Sequence, residues 1–81
     1  MKLKIEYCNM WNFLPSAIRL VDELMDDTNF RFDITEILLL PKSRGIFEVY
    51  VDDQLIFSKQ ELDRFPEKKE IPGLIRKLES F

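Results

Sequence analysis

Histidine is absent from this chain of 81 residues, and cysteine occurs once, at position 8. Without histidine, the chain lacks the commonest general base and the commonest metal ligand of proteins. A single cysteine with scattered carboxylates does not make a zinc site, so we expect no bound metal. One cysteine also cannot form an internal disulfide, and the fold therefore does not depend on an oxidising compartment. We expect a cytoplasmic protein.

Long hydrophobic runs and clustered charge of one sign are also missing. No apolar stretch approaches the roughly 20 residues of a membrane-spanning helix, and the first residues do not form a signal peptide. The net charge is -3 and the charges are interspersed, whereas a nucleic-acid-binding protein needs a clustered basic face. We therefore expect neither nucleic acid nor a membrane as a partner. The 46% hydrophobic and 33% charged residues are typical of one soluble domain, over residues 1–81.

The periodicity of the apolar residues predicts the element order β-α-β-β-β-α. The predicted elements are a strand at 2–7, a helix at 13–27, strands at 30–40, 46–51 and 55–58, and a helix from Pro72. Asn9 and Asn12 are candidate caps of the first helix, because asparagine favours that position. An interruption near 35–36 could divide the second strand, and residues 59–70 are charged and irregular.

This order predicts an α+β fold with a four-stranded mixed sheet and two helices. The first strand, helix and second strand form a right-handed crossover that makes the two strands parallel. The hairpin adds two antiparallel strands, and Asp53 in its turn tolerates the left-handed backbone region better than most residues. This is the minimal thioredoxin-like arrangement, although ferredoxin-like and other small α+β folds have similar orders.

Cys8 lies where the first predicted strand leads into the first helix. Thioredoxin-like proteins keep their reactive sulfur at such a turn, because the helix N-terminus stabilises a thiolate. Those proteins usually have a second cysteine three positions on, and here that residue is Trp11. Two interpretations stay open: Cys8 is an accessible, reactive thiol, or it is a buried and inert residue that packs like a small apolar side chain.

Three stretches of the sequence carry a family resemblance. They are Ile5-Glu6-Tyr7-Cys8 with a helix ending Val21-Asp22-Glu23-Leu24, the hairpin from Gly45-Ile46-Phe47-Glu48-Val49 to Ser58-Lys59, and Arg64-Phe65-Pro66-Glu67. In these stretches the chain resembles the selenoprotein W-related, or Rdx, family of small thioredoxin-like proteins. The family's Cys-x-x-Cys or Cys-x-x-selenocysteine motif matches Cys8 at its first position, and Trp11 occupies the second.

The resemblance implies thiol redox chemistry, linked to glutathione or to mixed disulfides with protein partners. The leading hypothesis is that Cys8 acts as a single nucleophilic thiol, with glutathione as a co-substrate and no bound cofactor. Asn9, Met10, Trp11 and Arg44 are the candidate binding residues. Arg44 could stabilise a thiolate or a glutathione carboxylate, or it could be an ordinary solvated side chain. Whether the protein is an enzyme stays open, because the resolving cysteine is absent.

Two further hypotheses do not need single-thiol exchange. In one, the chain is a redox-inactive binding module that contacts its partner through the Met10-Trp11 loop, with Met10 and Trp11 exposed as an apolar surface. The competing interpretation of that loop is that Trp11 folds back onto the sheet or helix, because indole is normally mostly buried. In the other, Cys8 of two chains forms an intermolecular disulfide. The expected oligomeric state is accordingly a monomer or a weak dimer.

Overall fold

The computed structural model describes residues 1–79 and contains one four-stranded sheet with helices. In chain order the elements are β1 (Lys2–Cys8), α1 (Leu14–Asp26), β2 (Glu36–Lys42), β3 (Phe47–Val51), β4 (Gln54–Ser58), α2 (Lys59–Leu62) and α3 (Glu70–Glu79). The strands lie in the order β2-β1-β3-β4. β1 is parallel to β2 and antiparallel to β3, which is antiparallel to β4. The predicted mixed sheet is confirmed.

One face of the sheet and the helices α1 and α3 form the hydrophobic core. Alternation along β1 places Leu3, Ile5 and Tyr7 on this face, since successive side chains of a strand point to opposite sides. The other core residues are Ala17, Leu20, Leu24, Phe30, Phe47, Val49, Val51, Phe57, Ile71 and Ile75. Each large apolar side chain buried in this way contributes about 1.5–3 kcal/mol to folding. The core therefore holds the end of β1, and with it Cys8, in a defined position.

The start of α1 differs from the prediction. Phe13 is the residue that precedes the helix, and its carbonyl accepts the N–H groups of Ser16 and Ala17 at 3.1 and 3.2 Å. No side chain caps the helix, so the predicted capping roles of Asn9 and Asn12 are wrong. Asn12 instead has a φ of 55°, in the left-handed region, because it belongs to the tight turn between β1 and α1.

The second strand is shorter than predicted, because residues 30–34 form a turn. Asp33 and Ile34 donate their backbone N–H groups to the Phe30 carbonyl at 2.8 and 3.1 Å. Phe30 is only 1% exposed and reaches the core from this turn. Its apolar character therefore reflects burial and not strand structure. The strand itself begins at Glu36, inside the segment where an interruption was predicted.

The C-terminal third contains one more helix than predicted. Residues 59–62 form the short helix α2, and α3 begins at Glu70, two residues before the expected Pro72. Pro72 fits in the first turn, where the missing amide breaks no helical hydrogen bond. Asp53 has a φ of 69°, as predicted for the hairpin turn, and Asp52 is also left-handed with a φ of 49°. No helix within residues 1–79 is long and apolar enough to cross a membrane.

Candidate functional site

Cys8 is the last residue of β1, and its thiol is buried, with 1% of the residue exposed. The backbone N–H of Trp11 donates a hydrogen bond to the Cys8 Sγ at 3.4 Å. Of the two interpretations left open by the sequence, the buried one describes Cys8 in this structure. Whether the thiol reacts stays a prediction. The turn that follows β1 folds back over the sulfur, because the Phe13 N–H donates to the Cys8 carbonyl at 3.0 Å.

The turn after β2 flanks the Cys8 turn and bonds to it through the backbone. The Cys8 N–H donates to the Ile46 carbonyl at 2.8 Å, and the Asn9 N–H donates to the Lys42 carbonyl at 3.0 Å. Both ends of the 42–46 connection are thereby attached to the beginning of the Cys8 turn. This arrangement brings Arg44 into the neighbourhood that the sequence predicted for it.

Trp11 lies against Gly45 of the flanking turn. A Cβ atom placed on Gly45 would meet the Cζ3 atom of Trp11 at 2.2 Å and its Cε3 atom at 2.7 Å. Glycine is therefore favoured at position 45 for two reasons: the indole occupies the space of a side chain, and the backbone has a φ of 68°. Trp11 nevertheless remains 62% exposed, so one side of the ring packs and much of the rest faces solvent.

A series of aromatic ring contacts connects Trp11, in the Cys8 turn, to the core. Trp11 and Phe13 meet edge to face with their centroids 6.1 Å apart, and Phe13 meets Phe65 at 4.8 Å. Phe65 in turn meets Phe47 at 5.3 Å. Such pairs are worth about 0.5–1.5 kcal/mol beyond their buried area. The Phe65-Pro66 segment therefore contributes packing beneath the Cys8 turn.

The other predicted binding residues are exposed around this turn. Met10 is 83% exposed, and Asn9 and Arg44 are exposed as well. Arg44 has a φ of 66° and, within residues 1–79, makes no salt bridge. The structure thus collects Asn9, Met10, Trp11 and Arg44 in the two turns at one end of the sheet, and of these residues Trp11 contacts the Cys8 sulfur, through its N–H.

Helix α1 carries further exposed apolar side chains close to the Met10-Trp11 loop. Leu14 and Ile18, four positions apart on one face, are both exposed, and Met25 follows two turns later. The buried face consists instead of Ala17, Leu20 and Leu24. The sequence contains an indication of this exposed apolar face, because the apolar residues of α1 cover more of its circumference than one core-facing stripe needs. Met10, Trp11, Leu14 and Ile18, all exposed, make up the loop–helix surface.

A separate groove of about 780 Å³ lies on the other side of α1. It runs between α1 and residues 65–72, and its lining contains both signs of charge, including Arg19, Glu23 and Lys69. The Glu23 carboxylate accepts the backbone N–H of Lys69 at 3.1 Å across it. Cys8 is not among the lining residues, so the groove belongs to a different surface from the candidate site.

Residues 64–70, which carry Phe65, are held by an ion pair. The two guanidinium nitrogens of Arg64 donate to the two carboxylate oxygens of Glu70 at 2.6 and 2.9 Å. These hydrogen bonds lower the pKa of Glu70 below its usual 4.5, against the opposing effect of burial, and the backbone N–H of Glu67 adds to the lowering. The bidentate pair therefore helps to position the loop that supports Phe13 and the Cys8 turn.

Comparison with protein-family models gives a match to the Rdx family over residues 2–77. The chain belongs to the Rdx family. A comparison with curated proteins finds no match. Among solved structures, a selenoprotein W-related protein from Vibrio cholerae is 27% identical, with a TM-score of 0.86 over 95% of this chain and 94% of that one. A protein from Bordetella parapertussis is 25% identical, with a TM-score of 0.85 over 94% of each chain.

Membership of the Rdx family makes this a thioredoxin-like, redox-related protein. The predicted family and fold are therefore confirmed. The roles of Cys8, Asn9, Met10, Trp11 and Arg44 stay predictions, because family membership does not test single residues.

Proposed function

We propose that this Rdx protein is a thiol-redox protein that uses Cys8 as a single thiol, in the cytoplasm. The observation that carries the proposal is the hydrogen bond from the Trp11 N–H to the Cys8 Sγ at 3.4 Å. A donor of this kind interacts more strongly with a charged acceptor than with a neutral one. The sulfur also stands between the end of a strand and the start of α1, whose N-terminus favours negative charge.

The exchange step requires only a disulfide and an external thiol. The Cys8 thiolate attacks one sulfur of oxidised glutathione, the glutathione S–S bond breaks, and one glutathione leaves as a thiolate. The product is a mixed disulfide between Cys8 and the other glutathione. Because Trp11 replaces the second thiol, a free glutathione thiolate must attack this disulfide to regenerate Cys8. A protein disulfide could take the place of oxidised glutathione in the same step.

Burial of Cys8 adds one requirement to this chemistry. A disulfide cannot reach a sulfur that is 1% exposed, so the turn over it must open during exchange. The hydrogen bonds that hold this turn are the Trp11 N–H to Sγ, the Asn12 N–H to the Asn9 carbonyl at 3.1 Å, the Phe13 N–H to the Cys8 carbonyl and the Asn9 N–H to the Lys42 carbonyl, both at 3.0 Å. The indole of Trp11 adds its contacts with Gly45 and Phe13. None of these contacts belongs to the hydrophobic core beneath the sheet. Opening therefore leaves the core intact.

Mass spectrometry of the intact protein in oxidised glutathione tests the proposal. We expect the folded chain to gain one glutathione, to lose it in reduced glutathione, and to show neither change in Cys8→Ser. We also expect Trp11→Ala to gain glutathione faster, because the indole no longer holds the turn closed. Modification of the denatured chain alone, with the folded chain unmodified, would show that Cys8 is a buried structural residue.

A second function is favoured by the exposure of the loop–helix surface. Met10 and Trp11 are 83% and 62% exposed, and Leu14 and Ile18 continue the apolar area along α1. Contiguous exposed apolar residues commonly mark a protein-binding surface. In this alternative, the protein binds a partner through that surface and the Cys8 thiol takes no part.

The same two variants distinguish the functions. With a partner identified by cross-linking in cells, single-thiol exchange predicts that Cys8→Ser abolishes the covalent complex. The binding-module alternative predicts that Cys8→Ser leaves affinity unchanged, while Trp11→Ala and Ile18→Ser each lower it. Leu62→Ser is a matched control, because Leu62 is also exposed but lies in α2, outside the loop–helix surface.

A further inference from the structure

Strand β2 lies at an edge of the sheet and is unusually apolar for that position. Its sequence is Glu36-Ile37-Leu38-Leu39-Leu40-Pro41-Lys42, and β1 is its one neighbour in the sheet. The four central apolar residues are only half-buried. Proteins usually protect such an edge with charges, bulges or a covering element, since its free N–H and C=O groups can pair with another strand.

The direction of the backbone groups along β2 follows from one hydrogen bond. The Lys42 carbonyl accepts the Asn9 N–H and therefore points towards β1. Backbone groups alternate in direction along a strand, so those of Ile37, Leu39 and Pro41 point to the open edge. Two amides and three carbonyls are thus available there, because proline has no N–H.

We propose that β2 pairs with β2 of a second copy of this chain, antiparallel, about a twofold axis at Leu39. Leu39 of each copy then faces Leu39 of the other and exchanges two N–H to carbonyl hydrogen bonds. The Ile37 N–H of each copy donates to the Pro41 carbonyl of the other. The missing amide of Pro41 costs one hydrogen bond at each end, where strands separate most readily.

The charges at the ends of β2 select this partner and this register. In the proposed pairing, Glu36 of each copy stands opposite Lys42 of the other, in a position where no backbone bonds intervene and side chains approach most closely. A parallel pairing in register would place like charges together. A shift by two residues separates Glu36 from Lys42 and places one of these charges opposite a leucine, Leu40 or Leu38. Within residues 1–79 neither side chain forms a salt bridge, so both are available to the second copy.

The apolar residues agree with the same register. Leu38 of one copy stands opposite Leu40 of the other on the open face of the sheet, which joins four half-exposed leucines into one patch. Leu39 and Ile37 of both copies meet on the helix side, where they already pack against the core. Pairing therefore removes apolar surface from water on both faces of the sheet.

Charge reversal tests the proposal in solution by sedimentation equilibrium, in reducing buffer and in a Cys8→Ser background that excludes a disulfide-linked dimer. We expect the parent chain to dimerise, and Glu36→Lys and Lys42→Glu each to weaken dimerisation by about tenfold, because each creates two like-charged pairs. A 1:1 mixture of the two variants restores opposite charges in both pairs and should dimerise like the parent. The chain that carries both substitutions should do so too.

Glu61→Lys is the control, because Glu61 is exposed in α2 and away from this edge; it should leave dimerisation unchanged. Amide exchange gives an independent measurement, since Leu39 and Ile37 should become protected as concentration rises. A monomer at millimolar concentration would overturn the proposal, and so would a dimer that is insensitive to both charge reversals. Neither outcome bears on Cys8 exchange, so this proposal and the proposed function fail separately.

Discussion

Gly45→Ala should loosen the candidate site without touching the core. The new Cβ would lie 2.2 Å from Cζ3 of Trp11, far inside van der Waals contact, so the indole must move away. The backbone at this position has a φ of 68°, which an alanine adopts with strain. The perturbation therefore acts on the turn above Cys8 through two separable effects.

The expected loss of stability in Gly45→Ala follows from the backbone strain and the displacement of the indole. Holding an alanine in the left-handed region costs roughly 1–2 kcal/mol. Displacement of Trp11 removes its edge-to-face contact with Phe13, which is worth about 0.5–1.5 kcal/mol. We therefore expect Gly45→Ala to lower the free energy of unfolding by about 1.5–3.5 kcal/mol, against a total of roughly 5–15 kcal/mol for a natural domain.

Urea unfolding measures the stability change, and two further signals locate it. Trp11 is the only tryptophan, so its fluorescence reports the displaced ring directly. Alkylation of Cys8 should become faster, because the Trp11 amide and ring no longer hold the turn closed. Gly73→Ala is the matched control: apart from its neighbours in the helix, no atom lies within 4 Å of the added Cβ, and alanine in helix α3 should stabilise the protein by about 0.5–1 kcal/mol.

The double variant Gly45→Ala/Trp11→Ala separates the two effects. Without the indole, Gly45→Ala should cost only the backbone strain, and the difference between the two backgrounds measures the contact. The reasoning is refuted if Gly45→Ala costs the same in both backgrounds and leaves the fluorescence of the single variant unchanged. The indole would then not rest on Gly45 in solution.

Three further predictions concern stability. Arg64 lowers the pKa of Glu70, so the ion pair stabilises the fold at pH values above the ordinary pKa of 4.5, and this stabilisation is lost as the pH falls through the lowered pKa of the folded state. In thermal melts, Glu70→Gln should therefore lower the Tm at pH 7 and lower it less below pH 4.5. The same Tm difference at both pH values would contradict this. Phe30→Ala should lower the free energy of unfolding in urea by about 3–5 kcal/mol, because the side chain is fully buried. A loss of less than about 1 kcal/mol would mean that Phe30 does not reach the core from its turn. Asp53→Gly should stabilise by about 0.5–1 kcal/mol in the same assay, because it removes a left-handed strain of roughly 1–2 kcal/mol at a φ of 69°, less the greater unfolded-state entropy of glycine. The exposed ion pair with Lys2 contributes little. Destabilisation would show that the ion pair and the entropy outweigh the strain.

Local sequence patterns were sufficient for most of the fold. Alternation in β1 and the hairpin, and the helical spacing over residues 13–27, depend on short-range geometry that one segment carries by itself. The left-handed turn at Asp53 and the strand-to-helix position of Cys8 were predicted for the same reason. The motifs Tyr7-Cys8, Gly45 to Val51 and Phe65-Pro66 were enough to indicate the family.

Local patterns gave wrong or incomplete predictions where the burial of an apolar residue depends on segments that are distant in the chain. Phe30 was assigned to a strand because an apolar side chain in a short segment looks the same in a strand and in a turn that reaches the core. Helical spacing in α1 likewise does not distinguish the exposed Leu14 and Ile18 from the buried Ala17, Leu20 and Leu24, because all five are apolar.

Tertiary structure alone decided the environment of the candidate site. The sequence placed Cys8 next to a helix, but its burial depends on a turn that closes over the sulfur and is braced by Gly45 from another connection. The exposure of Trp11 likewise depends on how much of the indole Gly45 and Phe13 cover. Burial is a property of contacts between segments far apart in the chain, and periodicity within one segment carries no information about them.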